Sequence, residues 1–331
     1  MMKYRSLGRT GLEVSEIGFG CGNVGGLMIR GEHGDQVKAV ARAMELGINY
    51  FDTASQYGDG VSETNLGLVL NELKADVYVG TKYRLTSQDD ADIKGGVIAS
   101  VDASLSRMGR DHVNLIQLHN RLAPRRDLST GTLSVEDVLG DVVEATETLK
   151  SQGKIDFWGL TGVGEPESLN RVVDSGALYS IQTVYNLINA SAGADVVPDF
   201  DMPDYKKMID GANATGMGVI VIRVLAAGAL TGVAERDPVA VPTVAPIGSG
   251  RDYQQDFDRS SGFRFLVDDG FADDLVEASV RFALSNPKVS TVLVGYSNMD
   301  HLEQSIQFAD KGPLPSEALD RLPAVWSQFV G

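Results

Sequence analysis

The chain has 331 residues, 43% of them hydrophobic, and a formal net charge of −16. This length suits a single α/β barrel, which runs to ~250 residues and more with insertions, and the acidic charge argues against nucleic acid or an anionic membrane as partners. The single cysteine, Cys21, excludes an internal disulfide, and with no apolar leader at the N-terminus the chain is expected to be cytoplasmic.

The first elements are a hairpin and a strand. Residues 3–16 place the turn 8–11 between two short alternating segments, which predicts an antiparallel β-hairpin. Residues 17–20 follow as a buried strand that ends in a glycine-rich loop, and residues 35–46 have the apolar spacing of a helix.

From residue 49 onward, strands and helices alternate. The predicted pairs are strand 49–52 with helix 62–73, 76–81 with 92–108, 113–118 with 135–151, 155–160 with 166–175, 180–184 with 203–215, 217–222 with 272–285, and 290–294 with 299–308. With the strand at residue 17 these make eight βα units, which predict a parallel sheet closed into a (β/α)8 TIM barrel, formed by residues 1–331 as one domain. Residues 315–330 are predicted to be a C-terminal helix or tail.

A long interval separates the seventh strand from its helix. Residues 233–270, rich in Pro, Asp, Arg and Gly, form a long loop there, either a lid over the barrel mouth or a disordered excursion. The most apolar stretch, 216–234, is interrupted by Arg223 and by glycines, so it is predicted to be a buried strand and loop rather than a membrane span. The four histidines are scattered, which argues against a zinc site.

Ionisable residues follow three consecutive predicted strands. Asp52, Lys82 and His119 stand at their carboxyl ends, and Tyr57 lies five residues after Asp52. Taken alone, an aspartate can cap a helix and a tyrosine can pack half-buried. Neighbouring parallel strands lie roughly 4.8 Å apart, so these strand ends should meet within about 10 Å. The sequence therefore predicts a group of side chains suited to proton transfer.

Six blocks of sequence resemble the aldo-keto reductase family. They are residues 5–15, residues 49–54 with Tyr57-Gly58 and Ser62-Glu63, Gly80-Thr81-Lys82, residues 115–119, Gln182 with Tyr185-Asn186, and residues 228–232. The resemblance covers essentially the whole chain. It implies reversible hydride transfer between a nicotinamide cofactor and a carbonyl or alcohol.

The resemblance implies a role for each of the four residues. Tyr57 is the proton donor in reduction, Lys82 the cation beside it, Asp52 the partner of Lys82, and His119 the group that orients the carbonyl. A free phenol titrates near ~10, and a nearby ammonium favours its ionised form, which suits a group that both gives and takes a proton. A carboxylate keeps a buried ammonium charged, and two donors stabilise the carbonyl oxygen as it gains charge.

The resemblance also implies a cofactor site across the barrel mouth. A GxGxG near-match at residues 18–22 fails as a dinucleotide fingerprint because no helix opens directly after it. Cys21 in this loop is either a reactive thiol or a small buried residue. The residues expected to contact the cofactor are Gly20, Cys21, Asp52, Thr161, Gly162, Gln182, Arg223, Leu225, Gly228, Leu230, Gly295, Ser297 and His301.

Two departures from the family pattern concern the nicotinamide and the phosphates. Thr161-Gly162 stands where a Ser-Asn pair usually holds the nicotinamide amide, so one hydrogen-bonding side chain is missing. Residues 222–224 read Ile-Arg-Val in place of Tyr-Ser-Pro. Arg223 either replaces the lost aromatic residue by stacking, or contacts a phosphate, or is a structural arginine in a salt bridge.

A third departure concerns the choice between NAD and NADP. Ser297 and His301 occupy positions where many members carry basic residues for the 2′-phosphate of NADP, and Asp300 is adjacent. Without a basic residue, the 2′-phosphate loses a strong charge-assisted contact. We therefore expect a preference for NAD, unless Arg251 or Arg259 supplies the charge.

The expected substrate is polar. Gln56, Tyr83, Arg84, Asn120 and Arg121 adjoin the four central residues, which favours a sugar or a polar aldehyde or alcohol. One alternative is a cofactor-binding regulatory subunit of a potassium channel, with the same fold and little turnover. A barrel lyase or isomerase without redox chemistry would not explain why a glutamine and a histidine accompany the tyrosine and lysine. Either a monomer or a homo-oligomer is compatible with the sequence.

Overall fold

The computed structural model describes residues 1–330. The strands are β1 (Tyr4–Ser6), β2 (Glu13–Ser15), β3 (Ile17–Gly20), β4 (Tyr50–Asp52), β5 (Tyr78–Tyr83), β6 (Val113–Leu118), β7 (Arg121–Leu122), β8 (Thr132–Leu133), β9 (Ile155–Thr161), β10 (Ser180–Val184), β11 (Gly218–Ile222) and β12 (Thr291–Gly295). Strands β3, β4, β5, β6, β9, β10, β11 and β12 pair in parallel as a closed barrel, and β1 pairs with β2 as an antiparallel hairpin. The predicted TIM barrel with an N-terminal hairpin is confirmed.

Helices surround the barrel. They are α1 (Leu27–Arg30), α2 (His33–Glu45), α3 (Val61–Leu73), α4 (Ile93–Met108), α5 (Val135–Asp137), α6 (Val143–Ser151), α7 (Pro166–Asp174), α8 (Met208–Ala214), α9 (Tyr253–Ser260), α10 (Phe265–Asp268), α11 (Leu275–Leu284), α12 (Met299–Asp310), α13 (Ser316–Leu319) and α14 (Leu322–Trp326). A π-helical stretch, Val138–Val142, joins α5 to α6. The helix predicted from residue 203 begins only at Met208, because Lys206 and Lys207 have φ angles of 51° and 54°, which a helix cannot accommodate.

The hairpin closes the N-terminal end of the barrel. Leu7 and Val14 pack there against Tyr50, Leu115 and other buried side chains from the strands. The turn approaches β11 so closely that a Cβ atom on Gly8 would lie 2.2 Å from the amide nitrogen of Gly218. The barrel is therefore filled at this end, and its carboxyl end is the open one.

Residues 233–270 lie against the open end. The Val241 amide donates to Val24 O (3.3 Å), and Arg30 Nε donates to Val239 O (2.6 Å). Further along, Asn189 Nδ2 donates to Gly248 O (2.6 Å). The segment thus runs from β11 across to the loop after β3 and back to the loop after β10, and it covers part of the mouth instead of extending away from it. No helix within residues 1–330 has the length and apolar character needed to cross a membrane.

Candidate active site

The carboxyl ends of β4, β5 and β6 bring the predicted ionisable residues together. Asp52 is the last residue of β4 and pairs in register with Gly80 on β5, while Lys82 on β5 pairs with Gln117 on β6. His119 follows β6 directly. Asp52 and Lys82 are 2% and 1% exposed, so both charges lie inside the barrel mouth.

Lys82 uses all three of its N–H donors. They go to Asp52 Oδ1, to Thr53 O (2.7 Å) and to the Tyr57 hydroxyl (3.2 Å). An ammonium has three donors and no acceptor. The Tyr57 oxygen therefore accepts from Lys82, and its own proton points away from the lysine.

Asp52 is held by two other polar groups. Its Oδ2 accepts from Gln182 Nε2 (2.6 Å) and from the Tyr50 hydroxyl (3.3 Å). Burial raises the pKa of Asp52, and Lys82 and these hydrogen bonds oppose the rise. Burial also works against the Lys82 ammonium, but Asp52 and Tyr57 outweigh it and the pKa of Lys82 is raised. Lys82 is thus held as a cation. The contribution of Tyr50 could not be recognised in the sequence, where it reads as a core residue.

Backbone hydrogen bonds fix the loop that carries Tyr57. The Tyr57 amide donates to Ala54 O (3.1 Å), and the Ser55 amide donates to Lys82 O (3.1 Å). The Gly58 amide donates to Asn23 Oδ1 (3.2 Å), which ties the loop to the one after β3. The phenol is therefore positioned by the same strand that carries the lysine.

A buried carboxylate supports this arrangement from behind. Glu63, which is fully buried on α3, accepts from Thr81 Oγ1 (2.5 Å) and pairs with Arg107 Nε (2.5 Å). Thr81 precedes Lys82 on β5. The Ser62-Glu63 motif thus links the helix after the tyrosine loop to the strand that carries the lysine.

His119 lies edge-on to Tyr57, with ring centroids 5.9 Å apart and an interplanar angle of 86°. Its Nδ1 is buried and has no hydrogen-bond partner among residues 1–330. Burial lowers the pKa of His119 to about 3, and Lys82 and Arg84 contribute to the shift. The imidazole is therefore neutral near neutral pH and can donate a hydrogen bond without carrying charge.

The lowered pKa of His119 predicts a dependence of stability on pH. An unfolded histidine titrates near ~6.5, so below that pH the unfolded chain binds a proton that the folded protein does not. We expect the free energy of unfolding to fall by about 1.4 kcal/mol per pH unit between pH ~6.5 and ~3 from this residue alone. Urea unfolding at pH 7 and 5 should therefore show a loss roughly 2 kcal/mol smaller in His119→Gln than in the wild type. Equal losses in the two proteins would contradict the assignment.

A cavity of about 1120 Å³ opens at this end of the barrel. Most of the residues predicted for catalysis and cofactor binding line it, namely Gly20, Asp52, Tyr57, His119, Thr161, Gln182, Arg223, Leu225, Gly228, Gly295, Ser297 and His301. Lys82 lies behind Tyr57 and is not part of the lining. Within residues 1–330, no three His, Cys, Asp or Glu side chains are arranged to hold a metal ion.

Three residues expected at the cofactor lie outside the cavity lining. Cys21 is 1% exposed, with its thiol directed at Phe19 O (4.0 Å), and burial raises its pKa well above the usual value. It packs in the core and is not a reactive thiol. The Gly162 amide donates to Gln182 O (2.7 Å) behind the wall, and Leu230 is fully buried.

The cavity has polar groups that fit a nicotinamide. Thr161 Oγ1 is buried and has no partner among residues 1–330. Gln182 donates an amide N–H to Asp52, and Gln182 also lines the cavity. Since a buried hydroxyl without a partner is costly, Thr161 is suited to bind a polar group that enters the cavity, such as a carboxamide.

The cavity is lined by three carboxylates, one of them near β12. Asp237 Oδ2 accepts from Asn298 Nδ2 (2.8 Å), three residues after β12, and Glu235 and Asp274 line the cavity as well. Ser297 donates to Gly25 O (2.8 Å), so its hydroxyl hydrogen is already used. These carboxylates were missed in the sequence, because two of the three belong to the long loop and nothing local indicates where that loop folds back.

Arg236 is a basic residue that lines the cavity next to Asp237, and backbone carbonyls accept hydrogen bonds from its guanidinium. Its Nε donates to Val241 O (2.7 Å), and its Nη1 donates to Ala227 O (2.9 Å). It also lies over the Tyr253 ring, 5.7 Å from the centroid. Arg236 therefore serves to fix residues 236–241 across the mouth.

Few of the residues on which the predicted polar pocket was based line the cavity. Of the five residues expected there, only Gln56 lines the cavity. Tyr83 is 1% exposed within the hydrophobic core, and Asn120 hydrogen-bonds Leu85 and Gly131 as a structural residue. Much of the remaining wall is apolar, with Val24, Ile222, Val224, Leu225, Ile247 and Val280 among its members.

Arg223 lines the cavity and forms no salt bridge. No carboxylate in residues 1–330 lies within salt-bridge distance of it, and its nearest acceptor is Ala245 O, 3.4 Å from Nη1. The interpretation as a salt-bridged structural arginine is therefore wrong. The two interpretations that remain from the sequence are stacking in place of the lost aromatic residue and contact with a phosphate of the cofactor.

Known proteins share this fold and sequence pattern. The chain matches the model of the Aldo/keto reductase family over residues 16–327. It is 28% identical to L-galactose dehydrogenase from Arabidopsis thaliana, over 92% of this chain and 87% of that one. It is also 24% identical to a probable voltage-gated potassium channel subunit beta from the same species, over 98% and 96%. A solved aldo-keto reductase from Bacillus halodurans, in its holo form, superposes with a TM-score of 0.73 at 24% identity, covering 100% of this chain and 98% of that one. With a family model that spans nearly all of its barrel, the chain belongs to the aldo/keto reductase family.

Proposed function

We propose that this protein catalyses reversible hydride transfer between a nicotinamide cofactor and a carbonyl or alcohol, with Tyr57 as general acid and base. The observation that carries the proposal is the hydrogen bond from the Lys82 ammonium to the Tyr57 hydroxyl, at the wall of a cavity that His119 shares. Family membership and the likeness to L-galactose dehydrogenase support it. The buried, unpaired state of Cys21 supports a reducing compartment such as the cytoplasm.

Each residue of the group has a distinct task. The cofactor, when bound, supplies or accepts the hydride at the carbonyl carbon. Tyr57 passes its proton from the phenol oxygen to the substrate oxygen, and Lys82 stabilises the phenolate that remains. Neutral His119 donates a second hydrogen bond to the same substrate oxygen, and Asp52 keeps Lys82 charged in a site that excludes water. In the oxidative direction the phenolate takes the proton back.

The lining residues divide the cofactor between them. Thr161 and Gln182 would hold the nicotinamide amide, Leu225 and Gly228 the phosphates, and Gly295, Ser297 and His301 the adenosine end. Asp237, which hydrogen-bonds Asn298 near that end, would repel a 2′-phosphate and could accept from ribose hydroxyls. The preferred cofactor is therefore NAD.

The preference for NAD can be measured directly. We expect kcat/KM for NAD(H) to exceed that for NADP(H) by roughly tenfold or more, because Asp237 repels the 2′-phosphate and backbone carbonyls already engage Nε and Nη1 of Arg236. Asp237→Ser combined with His301→Arg removes one carboxylate and adds one cation, and it should shift the ratio toward NADP by roughly tenfold or more. A wild type that prefers NADP a hundredfold, a ratio that corresponds to about 2.8 kcal/mol, would exclude the proposed preference.

A substrate panel distinguishes an enzyme from a regulatory subunit. The second function is the alternative because the chain is similar to a channel subunit. Initial rates on a panel of sugars, aldehydes and alcohols, followed by the absorbance of the reduced nicotinamide, test turnover, and sugars stand first because of the likeness to L-galactose dehydrogenase. Tight cofactor binding with no turnover on the whole panel would favour the regulatory function.

A further inference from the structure

Arg223 is held in an unusual backbone conformation at the cavity wall. Its φ angle is 60°, in the left-handed region that non-glycine residues seldom adopt. Asn186 Nδ2 donates to its carbonyl (2.8 Å) and holds the main chain there. Such conformations persist where the surrounding structure enforces them, often at ligand sites. The side chain is half-buried against the cavity.

The guanidinium of Arg223 has no salt-bridge partner within residues 1–330. The chain carries 45 Asp and Glu against 29 Lys and Arg, so carboxylates are abundant. Asp256 is engaged with Ser249 Oγ (2.5 Å) and the Gly250 amide (2.8 Å). Burial lowers the pKa of Arg223, while Tyr57 and Asp256 oppose the shift. The guanidinium of Arg223 is thus close enough to the Tyr57 phenol to interact with it electrostatically. Most of the N–H donors of the guanidinium have no acceptor within residues 1–330.

A second group of cations lies on the rim near His119. Arg84 follows β5, Arg121 begins β7 and Arg125 lies in the loop after β7. All three are exposed, and none of them forms a salt bridge within residues 1–330. Arg126 differs, because it pairs with Asp90 and Asp137, both at 3.3 Å. In a strongly acidic protein, these three arginines, which we call the rim arginines, keep a charge that no salt bridge neutralises. Exposed cations of this kind attract anions from solution.

We infer that the substrate carries a carboxylate in addition to its carbonyl or alcohol, and that Arg223 binds this carboxylate while the rim arginines attract it. The inference rests on the proposed oxidoreductase function and names its substrate class. A guanidinium matches a carboxylate with two parallel hydrogen bonds, which gives both orientation and affinity. A carboxylate anchored at Arg223 would hold the reacting carbon at a fixed distance from Tyr57.

Pairs of substrates that differ in one carboxylate can show the effect of that negative charge. 4-Carboxybenzaldehyde and its methyl ester, methyl 4-formylbenzoate, have similar aldehydes and differ in the negative charge, and succinic semialdehyde with butanal makes an aliphatic pair. With saturating NADH, we expect wild-type kcat/KM to favour the acid by roughly tenfold or more in at least one pair. Arg223→Met should reduce the acid-to-ester ratio roughly 10- to 100-fold, mainly through KM for the acid, and Arg223→Lys should restore part of it.

A cofactor role for Arg223 gives the opposite pattern. If the guanidinium binds the cofactor phosphates, Arg223→Met raises the dissociation constant of NADH, measured by quenching of protein fluorescence, and leaves the acid-to-ester ratio at its wild-type value. That result would overturn the inference. A wild type that reduces the acid and its neutral counterpart equally well in both pairs would overturn it without any variant. Turnover of no member of either pair and of no compound in the panel would instead count against the oxidoreductase function.

The role of the rim arginines can be tested by measuring how kcat/KM depends on ionic strength. Replacing Arg84, Arg121 and Arg125 with glutamine should lower kcat/KM for the acid at low ionic strength and flatten its dependence on salt, with no such change for the ester. Arg264→Gln, an exposed arginine without a salt bridge outside the cavity lining, is the matched control for loss of surface charge. The same salt dependence in the triple variant and the wild type would refute the steering part of the inference.

Discussion

Replacing Tyr57 with phenylalanine is expected to lower kcat roughly 10²- to 10⁴-fold or more, the range that a positioned general acid contributes. The phenylalanine ring keeps the edge-on contact with His119 and fills the same space. The dissociation constant for the cofactor should therefore stay close to the wild-type value. Steady-state rates in both directions and a fluorescence titration with reduced cofactor measure the two quantities.

Tyr83→Phe is the matched control. Tyr83 is buried next to Lys82 in the sequence, but its hydroxyl has no hydrogen-bond partner within residues 1–330, so the change removes no contact. Its turnover should stay within a fewfold of the wild type. Turnover that survives within tenfold in Tyr57→Phe would show that another group supplies the proton.

Lys82→Met is expected to affect both catalysis and folding. The variant removes the cation beside the phenol and leaves Asp52 as a buried carboxylate without its partner. Breaking a buried ion pair from one side costs about 3–5 kcal/mol, so the free energy of unfolding should drop by an amount of that order near pH 8. Because burial raises the pKa of Asp52, the deficit should shrink as the pH falls and Asp52 takes up a proton.

The double variant Asp52→Asn/Lys82→Met separates the two effects. Both charges are gone, so much of the lost stability should return, while turnover stays low because no ammonium adjoins Tyr57. Chemical unfolding and initial rates on the single and double variants complete the cycle. Recovery of turnover together with stability would mean that Lys82 acts only as a structural residue.

The barrel and the central group of residues could be predicted because their signals are local. Each strand is a short apolar run, and parallel pairing brings Asp52, Lys82 and His119 to one end whatever the details of the loops. The alternation of side chains between the two faces of a strand also explains why Tyr83, expected in the pocket, lies in the core. Since Lys82 faces the barrel mouth, the next side chain must point to the opposite face, into the helix layer. That signal was present in the sequence.

Long-range features could not be predicted in this way. Asp237 reaches Asn298 across 61 positions of sequence, and the path of residues 233–270 over the mouth depends on contacts with loops far away in the chain. Arg223 was identified as a departure from the family pattern, but only the folded chain shows that it has no salt bridge. Cys21 is a similar case: its neighbours Gly20 and Gly22 line the cavity, but its own side chain is buried in the core.

The hairpin plug has a consequence for how ligands reach the cavity. Leu7 and its neighbours fill the far end of the cylinder, so cofactor and substrate share a single entrance. Thr161 and Gln182 line the shared cavity, and residues 237–241 cross over part of the opening. Under the proposed function, cofactor and substrate must therefore enter and leave on the same side of the barrel.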